Sequence, residues 1–322
     1  MNILQTLLPF TLAATLGMPL WAQPAWPDKP VRIVVPYAAG GTTDFAARQV
    51  AQKLTEQTGQ SFFVENKTGA SGTIGSNFVA KAAPDGNTLL TNDTTYAMLP
   101  AIFKKLPWDH AADLIPVTTL AITPVVLVVP AQSPFKTVAD LIAHAKSHPG
   151  QLNFGSGGAG SSTHLAGEVF KKEAQVFMTH IPYKGAGDAM LALMGNQVDV
   201  LITASPTAIP VVKGGKVRAL ATTGDKRLAG LPAVPTFKEA GLPGFTVVNW
   251  FGLAAPKGTP AGVVQKLQQE VAKAMTDPAL QERFAQQGAQ PGGLPSANFA
   301  ALVEKEIAAW SAIAQSAGVK PE

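Results

Sequence analysis

Residues 31–37 form an apolar run interrupted only by Arg32 and lead toward a Gly-Gly pair, the pattern of a strand buried on both faces. Beyond it Ala47, Val50, Ala51 and Leu54 recur at i, i+3, i+4 and i+7, which predicts an amphipathic helix closing near Gly59. Strands are predicted at 61–65 and 88–92 around a helix at 73–82, with a Pro84-Asp85-Gly86 turn between. A second series starts with a strand at 125–129. It continues as helix 138–148, strand 152–155, helix 162–172, strand 176–181, helix 189–194 and strand 198–203, then a strand at 217–222. The apolar run at 247–254 is the last strand, and the chain beyond it is helical at 261–275, 279–287 and 298–316. No short repeat is present.

Strands alternating with helices argue for an α/β fold with mostly parallel sheets flanked by helices. The final stretch has too few strands for a domain of its own, so it is expected to return to the first unit. The expected organisation is two lobes, residues 27–124 plus 249–322 and residues 125–248. The chain would cross between them near 124 and 249, leaving a ligand cleft between the lobes.

Charge and composition narrow the chemistry. Only 14% of residues are charged and the net charge is +4, spread along the chain, so no nucleic-acid footprint is expected. Cys is absent, which removes disulfides, thiolate metal sites and a Cys nucleophile. Residues 1–22 carry no charge, hold an apolar stretch too short to span a bilayer, and end in small Ala22. They read as a signal peptide, which places the remainder outside the cytoplasm.

Three Gly-rich stretches follow strands and open helices: residues 36–44, 68–75 and 155–164. Such turns lie at the carboxyl edge of an α/β sheet, where glycines allow close approach and free N–H groups attract anions. Thr42, Thr43, Ser71, Thr73, Ser161, Ser162 and Thr163 add hydroxyl donors. Any one of these turns reads equally as ordinary Ser/Thr capping. Three of them, almost without Lys or Arg, favour a carboxylate cradle built from main-chain amides. Arg48 is expected to be a surface residue.

Enzyme and cofactor motifs fail in context. Gly155, Gly157 and Gly160 spell GxGxxG, but the next strand ends in Thr179-His180 with no acid for a ribose. Ser133-Pro134-Phe135-Lys136 and Lys67-Thr68-Gly69 stand in reversed order for a serine penicillin-binding enzyme. His144 and His148 lie in a last helical turn without a third metal ligand. No cofactor or metal is expected. His164 reads either as a ligand donor or as a helix-packing residue. A secreted serine hydrolase using Ser161 or Ser162 with His164 would lack an orienting acid.

The ordered set Trp26-Pro27-Asp28-Lys29-Pro30, Val34-Val35-Pro36-Tyr37 with Gly40-Gly41 and Asp44, Ala83-Pro84-Asp85-Gly86, Pro182-Tyr183-Lys184-Gly185, Gly195-Asn196-Gln197-Val198-Asp199 and Trp250-Phe251-Gly252-Leu253 resembles the Bug family. These are periplasmic solute-binding receptors, the substrate-binding components of tripartite tricarboxylate transporters. The resemblance implies a type II periplasmic-binding-protein fold closing on a small carboxylate, and a monomer that serves a membrane permease or a membrane sensor. It implies that residues 37–43 and 156–164 grip the ligand. Ala39, Gly41 and Thr42 would be amide donors to one carboxylate, with Ser161, Ser162 and Thr163 at the other end. Tyr37 would be an aromatic wall or a core residue. Gly40, Thr43, Ser71, Asn92, Ser156, Gly157, His164, Ala204 and Ser205 complete the expected ligand-binding set. The run Val200-Leu201-Ile202-Thr203-Ala204-Ser205 stands where many relatives carry an Asp-Asn pair, so the resemblance implies a ligand without an amine.

Overall fold

The structure, a computed structural model, describes residues 26–316 and residue 321. The leader at 1–22 lies outside the described residues. In chain order the strands are β1 (Val31–Val35), β2 (Phe62–Asn66), β3 (Thr88–Asp93), β4 (Leu114–Pro130), β5 (Asn153–Ser156), β6 (Thr179–Pro182), β7 (Val200–Ala204), β8 (Val217–Thr222), β9 (Val248–Pro256) and β10 (Gln290–Pro291). The helices are α1 (Thr42–Thr58), α2 (Thr73–Ala80), α3 (Thr94–Ile102), α4 (Val138–Ser147), α5 (Ser162–Ala174), α6 (Ala186–Met194), α7 (Ser205–Lys213), α8 (Ala261–Met275), α9 (Pro278–Gln286) and α10 (Ser296–Ser316). Among the described residues no helix is long and apolar enough to cross a membrane.

The strands form one curled sheet in the order β2-β1-β3-β9-β4-β7-β5-β6, with β10 and β8 also on β4. The sheet is mixed. Strand–helix alternation produces the parallel pairs β1–β2, β1–β3, β5–β6 and β5–β7. The antiparallel pairs all involve β4 or β9. β4 changes partners along its length: it pairs with β9 up to Pro124↔Val248 and with β7 from Val125↔Ala204 onward.

Both faces of the sheet are buried, which is what the continuous apolar runs require. Ile33 and Val35 face α1, α8 and α9 through Val50, Leu54, Val271 and Phe284. Val34 and Leu90 face the opposite way, onto Met98, Trp250, Phe299 and Trp310. Around the second half of β4, Leu127 packs with Phe154, Phe170 and Phe237, and Val126 with Met190, Leu193 and Ile209. Each such side chain contributes about 1.5–3 kcal/mol when fully buried. Helix α1 stops where expected, because Gly59 takes the left-handed conformation (φ 72°) and returns its N–H to the Thr55 carbonyl.

Among the elements that differ from the periodicity reading, three do so for one reason. The first half of β4, α3 and α7 contain Pro116 and Pro124, Pro100, and Pro206 with Pro210. Proline reads as a breaker. Here β4 accommodates its prolines beside register shifts at Pro116/Thr118 and Thr119/Ala121. In α7 Pro206 occupies the first turn, where no N–H is needed.

Candidate functional site

The helices α1, α3, α5, α6 and α7 each start just past the carboxyl end of a strand, and all five N-termini line one cavity. Gly41, Thr42 and Thr43 come from α1, Asp93 and Thr95 from α3, Ser161, Ser162 and Thr163 from α5, Ala186 from α6 and Ala204 from α7. Tyr37, Gly157, Thr203, Asn249 and Phe251 complete the wall. The space open to the centre of a water molecule is about 30 Å³, so the walls stand close together.

Each helix start leaves amide N–H groups without intrahelical partners and carries a partial positive charge of roughly half a unit. The N-caps of α1, α6 and α7 are Gly41, Gly185 and Ala204, and none offers a side-chain acceptor to those amides. The caps of α3 and α5 do: Asp93 accepts from Thr95 N–H and Ser161 Oγ from His164 N–H. Among the described residues no Lys, Arg or His lines the cavity. An anion placed there meets oriented main-chain donors and hydroxyls instead of side-chain cations.

Hydrogen bonds stitch the walls together. Ala38 N–H donates to the Lys184 carbonyl at 3.2 Å, and Ser162 N–H donates to Thr95 Oγ1 at 3.0 Å. The Thr42 and Thr207 hydroxyls lie 2.9 Å apart. The Ser71 hydroxyl donates to the Ala159 carbonyl. Glycine is required where backbones meet: a Cβ on Gly187 would run into the Ala39 carbonyl oxygen, and one on Gly157 would sit 3.0 Å from Ala186 N.

Of the residues expected from sequence, Tyr37, Gly41, Thr42, Thr43, Gly157, Ser161, Ser162, Thr163 and Ala204 line the cavity. Ala39, Gly40, Ser71, Asn92, Ser156, His164 and Ser205 do not. Ala39 and Gly40 are exposed beside the turn, and Gly40 N–H donates to Asp44 Oδ2 at 3.3 Å. Asn92 is buried on β3 with neither side-chain atom partnered. Ser205 Oγ donates to the Gly288 carbonyl. Ser156 Oγ donates to the Gly158 carbonyl and lies 2.6 Å from His180 Nε2. His164 Nδ1 accepts from Gly160 N–H at 2.9 Å, and its ring stacks on His180 at 3.8 Å. His164 therefore braces the Gly-rich turn from behind. Ser161 Oγ pairs with Thr163 Oγ1, so the hydrolase pairing of Ser161 or Ser162 with His164 has no geometric basis.

Arg48 is more than a surface residue. Its Nε and Nη2 donate to the two oxygens of Asp44 at 2.9 Å, and Nη2 also reaches Asn66 Oδ1. Burial opposes charge on Asp44, but Arg48, Asn66 and Gly40 N–H together hold its carboxyl below the usual range. This network fixes the first turn of α1 and the Gly-rich loop before it.

Six lining residues escaped the sequence reading: Asp93, Thr95, Ala186, Thr203, Asn249 and Phe251. A signal for the first two was present, since Asp93 at a strand end followed by a helical stretch is an N-cap pattern. Asp93 is 6% exposed and accepts from Tyr37 OH at 3.1 Å, Thr43 Oγ1 at 3.1 Å and Thr95 N–H at 2.9 Å. Burial pushes its carboxyl above the ordinary range against the pull of these donors, and burial with Asp93 nearby pushes the Tyr37 phenol well up. The cavity thus has an acid in its wall, reached from β3.

Two histidines outside the lining predict an acid response. Burial lowers His110 to about 4, and burial with the neighbouring His164 lowers His180 to about 3. The unfolded chain binds those protons below about pH 6.5 and the folded chain does not. Their stabilising contribution is complete above pH 6.5 and is lost as pH falls toward those values. The melting temperature is expected to drop between about pH 6.5 and 4.5, before carboxylates protonate. A His110→Gln, His180→Gln double variant should flatten that limb, and an unchanged slope would contradict the assignment.

The chain matches the family described as the tripartite tricarboxylate transporter family receptor, TctC, over residues 46–319. It belongs to that family, whose members are solute-binding receptors and not enzymes. Protein BugT of Bordetella pertussis is 34% identical over 313 residues, 97% of this chain and 96% of the relative. The periplasmic binding protein BugD superposes with TM-score 0.88 at 34% identity, covering 92% of this chain and 100% of BugD. R. palustris Rpa4515, solved with adipate, gives 0.89 at 36% identity, covering 92% and 99% of the two chains. MatC from Rhodopseudomonas palustris, solved with bound malate, gives 0.83 at 35%, covering 89% and 99%. Among the described residues no group of His, Asp or Glu could hold a metal ion.

Proposed function

We propose that this chain is an exported, monomeric receptor that captures a small carboxylate and hands it to the membrane permease of a tripartite tricarboxylate transporter. In this reading residues 27–124 with 249–322 form one lobe and residues 125–248 the other, and the ligand sits where they meet. The uncharged apolar leader at 1–22 and a periplasmic relative support export. The partner switch of β4 between Pro124 and Val125 supports a hinge there. Adipate and malate in two relatives support the ligand class. The observation that carries the reading is the convergence of five helix N-termini on a cavity without Lys, Arg or His in its lining.

Closure driven by a ligand requires that the ligand bind the closed arrangement more tightly than the open one. Contacts such as Ser162 N–H to Thr95 Oγ1 exist only when the walls meet, so trapping and wall closure are one event. A thermal-shift screen of the purified protein against mono- and dicarboxylates tests this. A true ligand at a hundredfold excess over its dissociation constant should stabilise by about 2.7 kcal/mol. A flat response to every carboxylate, or turnover of one of them, would overturn the reading.

A further inference from the structure

The cavity is lined by donors, yet two of its wall atoms can only accept. Asp93 Oδ1 already takes two hydrogen bonds, from Tyr37 OH and Thr95 N–H, but Oδ2 takes one, from Thr43 Oγ1. A carboxylate oxygen has room for two. Asn249, 2% exposed on β9, lines the same cavity, and its Oδ1 has no donor at all. A plain carboxylate brings no donor to either atom.

Capping alone does not explain the acid. An N-cap needs one acceptor, and Ser161 performs that task for α5 with a neutral hydroxyl. An aspartate at the corresponding place on α3 sets an additional acceptor inside a cavity otherwise lined by donors. That arrangement gives an unsubstituted carboxylate no donor to offer and rewards one whose own donor meets Asp93.

We propose that Asp93, aided by Asn249, is the specificity determinant of the site, selecting carboxylates that carry a hydroxyl or ammonium donor over their unsubstituted parents. This rests on the carboxylate-receptor reading and refines it. The run at 200–205 pointed to a ligand without an amine, but Asp93 provides an acid from the other side of the cavity. The donors already on Asp93, the Thr95 hydroxyl among them, fix its orientation, so the carboxyl offers a preset acceptor and no rearrangement is needed on binding. Thr203 Oγ1, also buried in the wall without a partner, is available to the ligand carboxylate as a donor.

The test is isothermal calorimetry with matched series: butanedioate, pentanedioate and hexanedioate, each beside its 2-hydroxy and 2-amino derivatives. In the native protein at least one donor-bearing ligand should bind about tenfold or more tightly than its parent. A hydroxyl preference and an ammonium preference both support the proposal and separate a neutral donor from a charged one. In Asp93→Asn, which keeps an acceptor for Thr95 N–H, that ratio should collapse toward one. Parents binding as tightly as their derivatives, or a ratio unchanged in Asp93→Asn, would overturn it. Binding without discrimination would defeat this inference alone, whereas no binding across the panel would defeat the carboxylate reading itself.

Discussion

Replacing Gly41 by leucine is expected to leave the fold intact and to abolish stabilisation by ligand. Gly41 has φ −81°, a conformation open to any residue, so the substitution adds no backbone strain. A Cβ there meets nothing nearer than Gly187 N at 3.7 Å, with Ala38 O and Ala186 Cβ just beyond, which is ordinary contact. The next three carbons of leucine enter the gap between the starts of α1 and α6, the space a carboxylate would fill. Side chain and ligand would need the same space, so they exclude each other. The expected loss is the whole ligand effect, about 2.7 kcal/mol at a hundredfold excess over the native dissociation constant. Gly41→Ala should retain most of it. Undiminished affinity in Gly41→Leu would show that the ligand sits elsewhere.

The largest effect on stability is expected at Phe299. Its ring is fully buried, meets Trp250 edge-on at 5.2 Å, and presses so closely on β9 that a Cβ at Gly252 would overlap it. It anchors α10 to the strand that joins β3 to β4. Truncation to alanine should cost about 3–5 kcal/mol, because the lost burial is compounded by a cavity that the sheet cannot close. Denaturant unfolding would read this as a lower midpoint at unchanged slope. Gly252→Ala alone should also destabilise. The double variant should lose less than the sum, since the new methyl group enters the vacated space. Strict additivity would mean that the two positions do not share that space.

The parts of the molecule legible in sequence are those with a local cause. β8 and α8 appear with the bounds their patterns predict, because each is a single run of one periodicity. The turns opening α1 and α5 were legible because glycines cluster after an apolar strand. Asn249 and Phe251 had no such mark. They lie on β9 and reach the cavity only because β9 inserts between β3 and β4. Ala186 belongs to the Gly185-Ala186-Gly187 start of α6, whose role appears only when Gly187 is seen against the Ala39 carbonyl. Proline hid α7, and its N-cap Ala204 belongs to the expected set only through the family resemblance, not through a helix following it.

The long reach of β9 has a consequence for synthesis. Leu90 on β3 lies opposite Ala254, so the strand that shields one edge of β3 is made long after β3 itself has left the ribosome. β1, β2 and β3 can meet early, but the sheet around them stays unfinished until most of the polypeptide exists. Pairings this distant in sequence are slow to close. The nascent chain therefore remains incompletely folded for most of its elongation, and its first half should be an obligate late folder.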